Sequence, residues 1–452
     1  MNPWPETSFS SASSPFPSQV PSSSATSSYS SVPSSSASSS SSSSSLSYNI
    51  AIIGSGLGGL SAAIALRRAG HRVTIYERYD FGGEVGASLS LASNGSRFLD
   101  EWEVDIPAAK PVILRNLIRH DWSSGKVFGT YPLGDYRERF GTDYNNFHRI
   151  DLHQHLKHVA TTSEGDGVPA QLKVWHKAIH LDPVEGRVTF DNGAEVTHDM
   201  VVCADGIRSQ MRQHLGVIPD VTPSTSCCYR CIIHADKLRA LSLQEFAENN
   251  AIEFWGGDGI NKIVMSPCSS HDVVSCYCFY PAEKNDLKED GWNISTTGEN
   301  LAATFPDLDE RLRTLFRNAE DIKMWRLYNH EPYPHWVKGR CCLLGDAAHP
   351  MMPDQSQGAC MALEDAGALG ILFSSGYNHL SLAQKLQLYE EERKPRATRL
   401  QESSRRARTD ITERIGWSSA SDRPGKLTIE EVCGYDMHAH IQGLVEKLTS
   451  SS

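Results

Sequence analysis

Apolar residues along this chain switch between two periods, and the switches predict its elements. Residues 48–53 are apolar on both faces, as a central parallel strand requires. Residues 60–69 have helical composition and stop at Gly70, and residues 72–76 form a second short β-prone run ending at Glu77. These three make one βαβ unit. Further strands are expected at 172–175, 187–190 and 200–204, with Asp191-Asn192-Gly193 joining two of them as a hairpin. A β-rich middle follows at 227–235, 251–255, 262–265 and 273–280. An apolar strand at 341–344 leads into Gly345-Asp346, then a helix at 357–373. A long polar helix is expected over 380–415, interrupted at Pro395.

The ends differ from this body. Residues 1–47 are dominated by Ser, with neither the basic nor the apolar region of a signal peptide, and a disordered tail is expected. The last residues, 449–452, are expected to fray. Residues 50–66 are apolar over nearly a membrane's thickness, but Gly-Ser-Gly and Gly-Gly interrupt them. The expectation is a soluble, cytoplasmic protein with no membrane partner.

Charge and cysteine usage narrow the classes. Asp plus Glu number 54 against 43 Lys plus Arg, a formal net charge of −11, which argues against a nucleic-acid partner. The 11 cysteines are an odd number spread along a long chain, so no disulfide framework is expected. Cys228 and Cys231 form a C-x-x-C on an apolar strand and read as core thiols. His148, His153, His155 and His158 lack a carboxylate or thiolate at ligand spacing and read as a helix surface, so no metal is expected. The Arg-rich run Arg393, Arg396, Arg399, Arg405, Arg406 and Arg408 reads as a solvated helix face. No G-x-S-x-G elbow and no P-loop are present.

Candidate chemistry starts at Gly54-Ser55-Gly56-Leu57-Gly58-Gly59. Gly54 permits a tight turn, Gly56 lets the backbone approach a pyrophosphate, and Gly59 lets helix and strand pack closely. The helix N-terminus would offer amides to phosphate, and Glu77, 21 residues beyond Gly56, could accept from ribose hydroxyls. This spacing points to a dinucleotide.

Four more segments join that turn, and together they resemble the single-component flavoprotein aromatic hydroxylases, above all the salicylate-hydroxylase-like FAD-dependent monooxygenases of fungi. Glu84-Val85-Gly86-Ala87-Ser88-Leu89, with Asn94, is similar to the family's E-x-G-A-G-I loop under the flavin, with Ser88 in place of the second Gly. His148-Arg149-Ile150-Asp151-Leu152 resembles H-R-x-D-L, whose Arg lies against FAD. Cys203 to Ser209 resembles the D-G motif near FAD and the nicotinamide, nominating Asp205 and Arg208. Gly345-Asp346-Ala347-Ala348-His349-Pro350, with Pro353, Gly358 and Ala359, resembles the segment that holds the ribityl chain and flavin ring. Ser356 stands where many relatives have Gly. The resemblance covers about residues 48–415.

It implies an α/β fold. A discontinuous Rossmann-like FAD-binding domain (48–220 and 336–420, the latter with the long helix) would carry an inserted β-rich substrate domain (221–335) and a C-terminal extension (421–452). NADPH or NADH would reduce FAD, and O2, activated at flavin C4a as a hydroperoxide, would hydroxylate a small aromatic substrate. A polar 416–452, without the C-terminal membrane helices of some relatives, implies a phenolic acid or aromatic polyketide of secondary metabolism. Decarboxylation, dearomatisation, epoxidation and an oxidase or dehydrogenase on the same fold stay open. Arg230 resembles an Arg that relatives place near the ring or substrate and is the candidate catalytic residue; an ion pair on a strand is its alternative. Tyr229 and His234 lie in the region where a base would be needed.

Overall fold

Four apolar segments too buried to be anything but central strands organise the first layer. They are β1 (Asn49–Ile53), β2 (Arg72–Tyr76), β3 (Met200–Cys203) and, much later in the chain, Cys341–Leu343. The computed structural model describes residues 46–80, 86–284, 292–417 and 425–450. β1 pairs in parallel with β2 on one side and β3 on the other, and β3 pairs in parallel with Cys341–Leu343. Gln171–Lys173 closes one edge and Val337–Lys338 the other, giving six strands. Parallel strands are covered on both faces, which accounts for their unbroken apolar runs.

Helix α1 (Leu57–Arg68) returns from β1 to β2. It packs on the helix α3 (Gly358–Leu372), an apolar helix buried nearly all round. Small residues set that approach: a Cβ on Gly58 would sit 3.2 Å from Ala362 Cβ, and one on Gly370 would sit 3.0 Å from Ala65 Cβ. Between them in sequence, α2 (Arg149–Thr161) packs on α1.

The second layer is an eight-stranded sheet. Its order is Trp292–Ser295, Glu320–His330, Val221–His234, Val273–Pro281, Lys262–Cys268, Ala251–Gly256, Asn116–His120 and Val127–Pro132. Its pairings are antiparallel except that of Ala251–Gly256 with Asn116–His120. Two of its strands therefore come from residues ahead of the segment 221–335. A three-stranded sheet, Ser88–Leu91, Asn145–His148 and Val112–Ile113, adjoins it.

Three expectations are corrected. The Asn192-Gly193 turn closes a hairpin between Arg187–Phe190 and Glu195–Thr197, while β3 leaves for the parallel sheet. Helix α4 (Leu382–Ala407) runs through Pro395 without a break. Buried Arg393 on one side and buried Ala397 and Leu400 on the other hold it against the body, which offsets the missing amide. At the C-terminus, Met437–Ser450 is a helix that buries Met437, Ile441 and Val445, so Thr449 and Ser450 are helical. The tail expected at 1–47 lies, but for its last two residues, outside the described residues. Among the described residues no helix is long and apolar enough to cross a membrane.

Candidate functional site

The Gly turn after β1 has the geometry its spacing predicts. Gly54 has φ +100°, and a Cβ there would meet the Ala204 carbonyl at 2.5 Å. A Cβ on Gly59 would meet the Gly54 carbonyl at 2.1 Å, so helix and strand need that glycine bare. Gly56 differs: nothing lies within 4 Å of the position its Cβ would take. It is the N-cap of α1, with no side-chain cap and no acid in the first turn. The first amides of α1 thus face open space with no carboxylate to satisfy them.

That space belongs to a cavity of about 460 Å³ between the two layers. A second helix begins on it. Gly358 and Ala359 of α3 line the cavity, and α3 likewise has no side-chain cap and no first-turn acid. Arg149, at the start of α2, is a third positive element in the wall. Two helix N-termini and a guanidinium make one end a site for negative charge.

Asp346 projects into the same end from the turn after Cys341–Leu343. Gly345 makes the turn with φ +63°. The Asp346 carboxylate is open to the cavity yet ringed by protein. Loss of bulk water pushes its pKa up, while His349, Arg212 and Arg149 pull it back. Behind it lies a buried network. Asp365 Oδ2 accepts from the Gly345 amide at 2.9 Å and from His349 Nε2 at 2.6 Å. Arg393 Nε reaches Asp365 Oδ1 at 3.0 Å and its Nη1 reaches Glu364 Oε2 at 2.6 Å. Arg396 adds a two-pronged contact to Glu364. The solvated reading of the Arg-rich face therefore fails for Arg393 and Arg396, whose partners Glu364 and Asp365 sit on the apolar α3 and gave no period of their own.

The segment from Gly345 to Ser356 floors the cavity, and α4 with its C-terminal tail pins it. Gln401 donates to the Pro350 carbonyl at 2.9 Å. Gln355 donates to Ser403 Oγ at 2.7 Å and accepts from the Ile415 amide at 2.8 Å. Arg414 Nη1 donates to the Asp354 carbonyl at 2.8 Å. Ser356 takes φ +53°, the left-handed region that glycine enters freely.

The other end of the cavity is set in the eight-stranded sheet. Ile252, Phe254, Val264 and Phe279 wall it, with Met352 and Ile411. Three charged residues stand at this apolar end: Lys262, Asp354, whose side chain is wholly buried, and Arg414. The sequence reading passed over all three. Lys262 starts a buried strand and could have been flagged as a charge in an apolar run.

Of the residues singled out in the sequence, Gly56, Arg149, Asp346, Pro353, Gly358 and Ala359 line the cavity. Gly54, Gly59 and Glu77 shape the turn beside it. Glu77 Oε2 accepts from the Ser55 amide at 2.9 Å and its hydroxyl at 2.7 Å, fastening the turn to β2. Gly86 and Ala87 lie just outside: the Ala87 carbonyl accepts from the Arg149 amide at 2.9 Å, and a Cβ on Gly86 would meet Ile150 at 2.7 Å. Glu84 and Val85 lie outside the described residues. Ser88 reaches the cavity, its amide donating to Ser275 Oγ at 3.1 Å.

Asp205 accepts from the Gln210 and Met211 amides at 2.9 and 3.2 Å, while its neighbours Ala204 and Gly206 line the cavity. Arg208 is half-buried and away from the lining; burial and nearby Arg78 lower its pKa. Arg230 is also away from it. Its guanidinium is buried, donates to the Gly86 carbonyl at 2.7 Å and pairs with Asp321, so the strand ion pair is what the structure holds. Tyr229 stacks on Tyr280. His153 is buried too, its Nε2 2.7 Å from the Ser55 carbonyl, which corrects its surface reading. Among the described residues no cluster of His, Cys, Asp and Glu could hold a metal, and every cysteine is buried and free.

Comparison with known proteins agrees with this geometry. Residues 145–404 match the FAD binding domain family, and residues 52–100 match an NAD(P)-binding Rossmann-like domain. The chain is 32% identical over 427 residues to hispidin-3-hydroxylase of Neonothopanus nambi, covering 90% of this chain and 98% of that protein. Among solved structures, CtdE in complex with FAD and a substrate superposes with a TM-score of 0.74 at 20% identity, covering 89% of this chain and 99% of that one. A salicylate hydroxylase substrate complex gives 0.67 at 20% identity, covering 87% and 97%.

Proposed function

The chain belongs to the FAD binding domain family and is an FAD-dependent monooxygenase, and from that premise we propose that it hydroxylates a phenolic ring, taking electrons from NADH or NADPH. Bound FAD, once reduced, supplies oxygen activation and the transfer of one oxygen atom to the ring. The observation that carries this reading is the single cavity joining a polar, positive end to an apolar, aromatic-walled one.

The polar end fits FAD in its charge and in its uncapped helix starts. The uncapped amides of α1 around Gly56 would hold the pyrophosphate. Gly54 and Gly59 would keep that turn tight, and Glu77, a carboxylate with a lone pair to spare beyond Ser55 and the Tyr79 amide, would accept from ribose. Asp346 would accept from a ribityl hydroxyl. The N-terminus of α3, at Gly358 and Ala359, with Pro353 before it, would face the ring edge where negative charge grows on reduction. Arg149 would add positive charge, its position set by the Ala87 carbonyl and the close Gly86. Asp205 and Arg208 would serve the nicotinamide side of the same turn.

The apolar end would take the aromatic ring. Phe254, Phe279 and Ile252 exclude water there, which favours oxygen transfer over loss as peroxide. The parallel-sheet unit (48–220 and 336–420) would thus hold the cofactor and the β-rich segment 221–335 most of the substrate wall. Hispidin-3-hydroxylase and salicylate hydroxylase, by their names, act on hydroxylated ring systems, which supports a phenolic acid or aromatic polyketide and a place in secondary metabolism. The test is mass spectrometry of products from a phenol panel, with NAD(P)H and O2 consumption followed in parallel. Gain of one oxygen, with or without loss of carbon dioxide, is expected. NAD(P)H oxidation that yields only peroxide with every phenol would refute the hydroxylase reading.

A further inference from the structure

The apolar end of the cavity holds more positive charge than the protein balances. Lys262 and Asp354 form a closed ion pair inside the wall, Nζ 2.5 Å from Oδ1, and cancel each other. Arg414 is the second cation there, more than nine-tenths buried and part of the cavity lining. Among the described residues no carboxylate lies within ion-pair distance of it. Asp354 meets it through the backbone, its carbonyl accepting from Nη1 at 2.8 Å, and Ser356 Oγ lies 3.2 Å from the same nitrogen. Burial pushes the Arg414 pKa down, and Tyr144, then Asp354, restore only part of the loss. Buried charges are paired as a rule, and this one is not.

The three guanidinium nitrogens are not equivalent. Nη1 is committed to the segment 354–356, and Nε is closed off inside the protein. Nη2 is neither. It carries two N–H groups, and the neighbouring Tyr144 hydroxyl can take at most one of them. The surroundings fit a flat anion. Arg414 lies 4.8 Å over the Phe254 ring, and Phe254 and Ile411 line the cavity with it. Water can accept an N–H here but brings no charge, and the uncapped amides of α1 suit the phosphates of FAD at the polar end. A carboxylate is anionic at neutral pH, whereas a simple phenol, ionising near about pH 10, is not.

We propose that Arg414 anchors a carboxylate of the aromatic substrate, with Nη2 donating to the acid and the Phe254 wall taking the ring. This rests on the monooxygenase reading above and narrows its substrate to a phenolic acid. The contact is charge-assisted and lies where bulk water competes little, so it is stronger than the same pair on a surface. It also sets direction. The Nη1 contacts hold the guanidinium to Asp354 and Ser356, and Ser356 stands two residues before Gly358 at the start of α3. The acid therefore fixes where the ring lies against the edge proposed for the flavin. Selection follows from charge: a carboxamide of the same shape leaves Arg414 uncompensated and turns N–H groups towards its donors.

The test uses the oxidised FAD-loaded protein without NAD(P)H. Dissociation constants are read from the change in flavin absorbance for salicylate and 3-hydroxybenzoate, each against its carboxamide. The wild type is expected to bind each acid about ten- to a hundredfold tighter than its amide, the range for a hydrogen bond to a charged group. Arg414→Met should collapse that ratio to within about threefold. Arg414→Gln keeps an amide donor for the segment 354–356 but no charge; it guards against misfolding and should show the same collapse. A purely structural Arg414 would weaken acid and amide alike, so an unchanged ratio in a folded variant would overturn the anchor. Loss of FAD by both variants would also overturn it, assigning the charge to the cofactor. A wild type that oxygenates phenols but prefers neither acid to its amide would overturn the anchor and leave the hydroxylase reading standing. A wild-type holoprotein that oxygenates no phenol, acidic or neutral, would overturn both.

Discussion

Arg393 Nε lies 3.0 Å from Asp365 Oδ1, and neither residue is exposed. That contact joins α4 to the helix whose start faces the cavity. Through the other Asp365 oxygen it also holds the Gly345 amide, one residue from Asp346. Burial alone would raise the pKa of Glu364 and of Asp365. Arg396 and Arg393 outweigh it at Glu364; His349 and then Arg393 outweigh it at Asp365, and both carboxyls end below their usual range. A depressed folded-state pKa contributes stability that is present above the unfolded value, about 4, and is lost as pH falls through the folded one.

Arg393→Met should therefore cost about 3–5 kcal/mol at neutral pH, because two buried carboxylates lose a cation. Without Arg393 the balance at both carboxyls tips towards burial, so the variant's deficit should shrink in acid. Urea unfolding from pH 7 to pH 4 checks both statements. A deficit that grows in acid would contradict the sign.

Asp346→Asn should move two observables in opposite directions. In the cofactor-free protein the Asp346 pKa is raised by loss of bulk water. A raised carboxyl pKa makes the folded state less stable as pH climbs above the unfolded value. Removing the charge should therefore raise the melting temperature of the apoprotein near pH 7. The same change removes the charge and one of the two oxygens proposed to accept from the ribityl chain, so FAD retention on gel filtration should fall. A variant that keeps full flavin and gains no stability would refute both halves.

The glycines of the turn should separate fold from ligand. Gly59→Ala puts a Cβ 2.1 Å from a backbone oxygen, and backbone cannot yield cheaply. We expect a loss above about 3 kcal/mol or no folded protein. Gly56→Ala meets no protein atom within 4 Å. Apoprotein stability should change by about 1 kcal/mol or less, while FAD affinity falls because the methyl occupies the space left for phosphate. Calorimetry of the apoprotein and flavin titration make the comparison. Equal destabilisation by both changes would remove the argument that Gly56 faces a ligand.

Most of the parallel layer was legible because its information is local. A buried strand, a Gly turn and a helix follow one another within residues 49–76, and the Gly345-Asp346 turn is read from its own neighbours. The eight-stranded sheet was less legible because its pairing is not local. Asn116–His120 finds Ala251–Gly256 across more than a hundred residues, and Glu320–His330 alternates too weakly to stand out. The apolar end of the cavity was hidden for the same reason. Lys262 and Asp354 are 92 residues apart, and neither segment points to its partner. Arg393 was misread because its partners sit on an apolar helix 28 residues earlier.

Arg230 was the catalytic candidate from sequence, and its geometry now predicts a different phenotype. Its Nη1 donates to the Gly86 carbonyl at 2.7 Å, its Nη2 pairs with Asp321, and its guanidinium lies 5.5 Å over the Trp325 ring, which lines the cavity. Arg230 would therefore act on the site through Trp325 and the segment at Gly86, as a positioning residue. Arg230→Lys keeps the charge but cannot span both partners, and should cost about 1.5–3 kcal/mol of stability. Substrate binding to the FAD-loaded protein should weaken by less than about threefold, while the share of NAD(P)H oxidised to peroxide rises as the Trp325 wall loosens. The alternative makes the opposite pattern: a guanidinium that grips the substrate would lose binding by about tenfold or more with little change in unfolding. Measuring urea midpoint, substrate Kd and peroxide yield on the one variant separates the two.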